Sequence, residues 1–190
     1  MHGVTLTGVL SLGNLILSAT NVIVAFSLLV YILSHNLRSS VARAFCALLT
    51  FVTVVHAADV ILINVLDPAT RFMWLKFQWL GIAFIPAAYL HFSDAVLRTT
   101  NSFSRVRRGL VATTYLFGTV LVLLTVFTSL LVSDGVDTSW AVYFQAGPLF
   151  WVFSLYFFLV TAMGVLNIER ARRRTVTSTS RRRMTYLAVS

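Results

Sequence analysis

Residues 75–97 read LKFQWLGIAFIPAAYLHFSDAVL, and this stretch decides the fold. About 20 mostly apolar residues at ~1.5 Å each cover a hydrocarbon core of ~30 Å, so it is long enough to cross a bilayer as one helix. Pro86 sits near its middle. There it deletes one helical hydrogen bond and pushes against the carbonyl of Ile82, so a kink is expected. Ala83 and Ala87 make a small-xxx-small pair that admits another helix at close range. His91 and Asp94 lie one turn apart near one end, and polar groups there are costly in lipid.

Four further segments reach spanning length, giving roughly 8–34, 44–66, 75–97, 109–132 and 147–168 in all. The runs are continuous rather than alternating, which selects helices over a barrel. Composition agrees: the 190 residues are 58% hydrophobic and 11% charged, with a mean hydropathy of +0.85. A soluble domain of this size carries about 25% charged residues. The expected fold is therefore all-α, a polytopic transmembrane helix bundle of five spanning helices in one domain over 1–190. Past Arg181–Arg183 the chain reads MTYLAVS. Residues 184–190 are expected to start a sixth helix, in a natural product that continues. Cys46 is the single cysteine, so no intrachain disulfide forms.

The basic residues set the orientation. Arg38 and Arg43 follow the first segment, and Arg98, Arg105, Arg107 and Arg108 follow the third. Arg170, Arg172, Arg173, Arg174, Arg181, Arg182 and Arg183 follow the fifth. Of the fifteen Lys and Arg only Arg71 and Lys76 fall on the other side, with Asp67, Asp134 and Asp137. The positive-inside rule places the arginine blocks in the cytoplasm and the N-terminus outside. Arg105, Arg107, Arg108, Arg170, Arg172, Arg173 and Arg174 are expected to contact anionic lipids on that face. They carry no interleaved aromatic platform, so the net charge of +9 does not mark a nucleic-acid binder. In the outer connection 133–146, Trp140, Tyr143 and Phe144 read as an interfacial belt or as a ligand or partner cap.

Two polar pairs lie inside the segments: His56 and Asp59 in H-A-A-D, His91 and Asp94 in H-F-S-D. The i, i+3 spacing puts each pair on one helix face. The pairs fall at different depths and are not expected to form one cluster. His56 and Asp59 have two readings. One is an interhelical hydrogen bond, within the pair or to Asn21, that holds the bundle together. The other is a small outward-opening ligand pocket, with Gln78 and Trp79 at its mouth and the kink at Pro86 exposing a carbonyl. His91 and Asp94 form a secondary pair in which Asp94 reaches the headgroups or pairs with Arg98. Two pairs at different depths do not supply the converging ligands of a zinc site, so no metal is expected. No other cofactor is expected either, although His56 or His91 has the chemistry to ligate haem or a chlorin. The sequence contains no GxGxxG, P-loop, GxSxG or HExxH, and the chain is not expected to be an enzyme.

WLGIAFIPAAYLHFSDAVL (79–97) resembles the third helix of the seven-helix sensor region at the N-terminus of bacterial membrane histidine kinases and diguanylate cyclases. GPLFWVFSLYFFLVTAMGV (147–165) resembles its fifth helix, and RRRMTYLAVS (181–190) the beginning of its sixth. The resemblance implies a signal-input module in the bacterial inner membrane. Such a module relays a ligand or the state of the membrane to a cytoplasmic output domain that this sequence does not contain. The alternative is a structural or accessory transmembrane subunit of a larger complex. Phe150, Trp151, Tyr156, Phe157 and Phe158 would then face partner helices or hydrophobic cofactors.

Overall fold

The computed structural model describes residues 6–65, 67–100, 104–137, 142–174 and Tyr186. Helices α1 (Leu6–His35), α2 (Ser40–Asn64), α3 (Pro68–Arg98), α4 (Arg105–Phe127) and α5 (Phe150–Arg174) account for the five apolar segments. All five are long and apolar enough to cross a membrane. Of the expected start of a sixth helix, 184–190, all but Tyr186 lies outside the described residues, as does Trp140.

Hydropathy marks the hydrocarbon-soluble part of a helix, whereas polar caps set its ends. Ser39 accepts a hydrogen bond from the Ala42 amide at 3.4 Å, so α2 begins before residue 44. Asp67 accepts from the Thr70 amide at 2.8 Å and the Thr70 hydroxyl at 2.7 Å, with Pro68 in the first turn. This N-cap starts α3 a full two turns before residue 75. The Thr70 bonds, the hydroxyl's first, hold the Asp67 carboxyl below its usual range. At the other extreme α5 runs past residue 168 to Arg174. Its last turn holds Arg172, Arg173 and Arg174, favourable against the carbonyl end of the helix.

Helix four departs from expectation in the other direction. It ends at Phe127, not near 132, with Thr128 in an extended conformation as its cap. The chain then forms an antiparallel hairpin, β1 (Val132–Asp137) with β2 (Val142–Ala146), whose register shifts between Ser133 and Gly135. The hydroxyls of Thr125 and Thr128 bond the carbonyls four residues back, and the Thr128 hydroxyl also accepts from the Leu130 amide at 3.3 Å. Such local bonds weaken helix continuation. Valine and aromatic side chains then favour strand. Leu131 and Val132 remain buried, capping the core with Trp79, Leu121 and Phe153.

The helices pack in an order centred on α3. Helix α1 packs on α2, α2 on α3, and α3 on both α4 and α5. In the most apolar window of α3 67% of residues are buried, against 11% in α1, which offers most of its surface to lipid. Helix α3 stays unbroken through Pro86. Its neighbours approach where side chains are small. Ala83 and Ala87 are fully buried, and the Ala83 carbonyl lies against Gly118 of α4. On the opposite side Gly81 touches α2. A Cβ there would sit 2.5 Å from a methyl of Val55 and 2.7 Å from the Phe51 carbonyl oxygen.

Backbone cannot retreat as a side-chain tip can. Gly81→Val is therefore expected to destabilise the bundle by ~1–3 kcal/mol, the cost of overpacking a tight contact. Gly13 has no atom within 4 Å of its Cβ position, so Gly13→Ala should leave the midpoint of unfolding in mixed micelles unchanged or slightly raised. Equal midpoints for the two variants would contradict the close α2–α3 approach.

Candidate functional site

A polar cluster lies toward the hairpin end of the bundle. Asp59 of α2 accepts from the Ser18 hydroxyl of α1 at 3.4 Å and from the Gln78 amide of α3 on its other oxygen. Gln78 also donates to the Val55 carbonyl at 3.4 Å. His56 Nδ1 stands 3.4 Å from Asp59, and its Nε2 stands 3.4 Å from the Asn21 amide. Three helices thus meet on one carboxylate. Its fixed partners are neutral donors, since His56 is a cation only when protonated. His56 and Asp59 are 29% and 27% exposed, so the cluster opens to the surface. A partly open carboxylate with neutral donors can pair with a cationic group, which would compete with Ser18 and Gln78 for its oxygens.

A second polar cluster occupies the arginine end. Asp94 of α3 is 2% exposed and sits between Arg107 of α4, at 3.0 Å, and Arg98 one turn on, at 2.7 Å. The Arg98 contact is close but not aligned as a hydrogen bond, and the buried Arg98 Nε has no acceptor. Beside it the Asn167 amide of α5 donates to the Ser93 hydroxyl at 3.4 Å. Asp94, Arg107, Asn167 and Arg170 line a cavity of about 130 Å³ there. Higher up, the Tyr156 hydroxyl of α5 donates to the Thr114 carbonyl at 3.1 Å and reaches the Ala83 carbonyl at 3.5 Å. Helix α5 is therefore tied to α3 and α4 through side-chain hydrogen bonds.

The sequence-derived residues divide accordingly. His56, Asp59, Gln78 and Asn21 come together. Trp79 does not join them: one residue on from Gln78, it turns toward α5 and is buried edge-on against Phe153, ring centres 5.0 Å apart. Pro86 is fully buried, about 12 Å along α3 from Gln78, and takes no part in the cluster. Asp94 does not reach out to headgroups; it is buried and paired with Arg98 as well as Arg107. Half-buried His91 sits edge-on to Tyr115, with Nδ1 3.4 Å from its hydroxyl.

Two arginines read as lipid contacts have carboxylate partners, Arg107 the buried Asp94 and the partly exposed Arg172 its neighbour Glu169. Arg173 also bonds Glu169 but stays exposed, and Arg105, Arg108, Arg170 and Arg174 are exposed. Tyr156 is a core residue, while Trp151 and Phe158 face outward. Sequence reasoning missed Ser18, Ser93 and Asn167, and named Arg107 only as a lipid contact. Ser18 had a signal, since it precedes Asn21 by one turn on the same face. Arg107 had none, because a basic residue near a helix start reads the same whether paired or solvated. Among the described residues no three of His, Cys, Asp and Glu converge on a metal-sized space.

A family model described as the N-terminal 7TM region of histidine kinase matches residues 16–190. No curated protein and no solved structure matches the chain.

The two carboxylates are expected to respond differently to removal. Asp94→Ala strands two arginine charges that are only partly solvated and should cost about 3 kcal/mol, at the low end for a broken buried pair. Asp59→Asn keeps an acceptor for Ser18 and Gln78 and should shift the unfolding midpoint far less. Denaturant titration in micelles would check this, and equal losses would place both carboxylates in the same structural role.

Proposed function

The chain belongs to the family of N-terminal 7TM regions of histidine kinases, which are membrane sensory input regions. From that premise we propose that it relays a signal from the outer face of a bacterial inner membrane to a cytoplasmic output domain. In this reading the arginine end is cytoplasmic, following the positive-inside rule, and the hairpin end and the N-terminus lie outside. The exposed arginines Arg105, Arg108, Arg170, Arg173 and Arg174 rest among anionic headgroups.

One observation carries the reading. Both polar clusters hang on α3, through Gln78 at the outer end and Asp94 at the inner end, sixteen residues or about 24 Å apart. A packed helix transmits displacement because its interfaces have discrete alternative packings rather than a continuum. Ligation of the Asp59 cluster by a cationic group releases Gln78 and Ser18 and changes how α3 sits on α2. The shift reaches Asp94 and Ser93, and so Arg107 of α4 and Asn167 of α5. Helix α5 then moves toward the output side. A ligand biases such an equilibrium only by its differential affinity for the two packings.

Two measurements test this. In native membranes the polypeptide carrying these residues should be well above 21.1 kDa and take up radiolabelled phosphate from ATP. A species near 21 kDa in a stoichiometric complex would instead support the accessory-subunit reading. In the complete kinase, Asp59→Asn should change autophosphorylation severalfold while the unfolding midpoint stays close to that of the parent. An unchanged response would remove the Asp59 cluster from the mechanism.

A further inference from the structure

On the α4 side of α3, away from the Asp59 cluster, a second cavity of about 550 Å³ lies under the hairpin. Its volume falls in the range of small-molecule sites, ~300–1,000 Å³. Phe72 of α3, Phe127 at the end of α4 and Phe144 of β2 give it apolar walls. Lys76 gives it a cation. The Lys76 ammonium donates one bond, to the Val126 carbonyl at 3.3 Å, and among the described residues it has no carboxylate partner. An ammonium carries three donors, so further donors remain for a ligand.

The hydroxyls sort in the same sense. Thr125 and Thr128 are committed to the carbonyls of Leu121 and Leu124. Ser129 and Ser133 line the cavity with hydroxyls that bond no other described residue. One cation and two uncommitted hydroxyls beside three phenyl rings make a definite chemical demand. A cationic ligand would meet Lys76 head-on, and a purely apolar one would make no use of the ammonium or the hydroxyls.

The geometry points to a binding site for an organic anion, a carboxylate or phosphate on an apolar body of about ring size. Its charged end lies on Lys76, Ser129 and Ser133, and its body lies against Phe72, Phe127 and Phe144. The anion has two sources of the same chemistry: a water-borne metabolite, or an anionic lipid of that leaflet. Once bound it bridges α3 to the end of α4 and to the hairpin. The site stands on this geometry; only its use as an input rests on the sensory function proposed above.

The test uses the chain in nanodiscs of phosphatidylcholine, with para-fluorobenzoate as probe and para-fluorobenzyl alcohol as its neutral counterpart, both followed by fluorine NMR line broadening. The parent should bind the benzoate in preference to the alcohol. Lys76→Gln should weaken benzoate binding about tenfold or more, the loss of a charge-assisted hydrogen bond, and Lys76→Arg should retain most of it. Lys76 is exposed, so the variants should unfold at the parent's midpoint. Displacement of the probe by added phosphatidylglycerol would identify a lipid as the natural source, and persistence of the probe a water-borne anion. Benzoate binding that is absent from the parent, indifferent to Lys76→Gln, or matched by the alcohol would overturn the site. If Lys76→Gln abolishes binding yet leaves kinase output unchanged, the site stands and its role as an input falls.

Discussion

The structure depends on the burial of α3, the most enclosed of the five helices, with 67% of its most apolar window buried. A helix in a bilayer satisfies its own backbone but has no solvent for polar side chains, which must find protein partners or stay near the interface. Helix α3 meets this constraint by packing against three helices and one strand at once. That burial is what allows it to carry Gln78, Ser93 and Asp94. The peripheral helix α1, by contrast, buries only Ser18 and Ala25 among its described side chains. Ser18 is buried where it meets Asp59.

Close packing of α3 is achieved by subtraction rather than by interlocking bulk. Gly81 meets α2, Gly118 lets α4 approach, and Gly164 of α5 takes the ring of Tyr89, which would lie 2.5 Å from a Cβ there. In lipid there is no hydrophobic gain from bringing apolar helices together, so van der Waals contact and hydrogen bonds across small residues supply the cohesion. The Tyr156 hydroxyl adds to this, because it donates to the Thr114 carbonyl of α4 within reach of the Ala83 carbonyl of α3.

The two ends of α3 differ in electrostatic character. At the hairpin end Asp59 is held by the neutral donors Ser18 and Gln78 and is 27% exposed. At the arginine end Asp94 is 2% exposed and lies between the guanidinium groups of Arg98 and Arg107. An open carboxylate beside one end of α3 and an enclosed one at the other make the helix electrostatically asymmetric. The hairpin adds a third polar environment, built around a cation rather than a carboxylate, against the α4 side of the same helix.

Much of this was legible in the chain itself. Five long apolar runs can only be helices in lipid, because no other open structure satisfies the backbone there. The separation of the two H-x-x-D pairs followed from the same rise per residue. The meeting of Asn21 with His56 could be anticipated, since polar atoms inside spans seek one another. Tertiary structure decided the rest. Whether a residue one position along α3 faces a pocket or a core depends on the angular placement of neighbours, and so Gln78 joined Asp59 while Trp79 turned to Phe153. Whether an arginine greets lipid or a buried carboxylate depends on which helix its first turn passes, and so Arg107 left the surface for Asp94. Helix four was read too long because hydropathy cannot distinguish Leu131 and Val132 in a membrane helix from the same side chains capping a protein core.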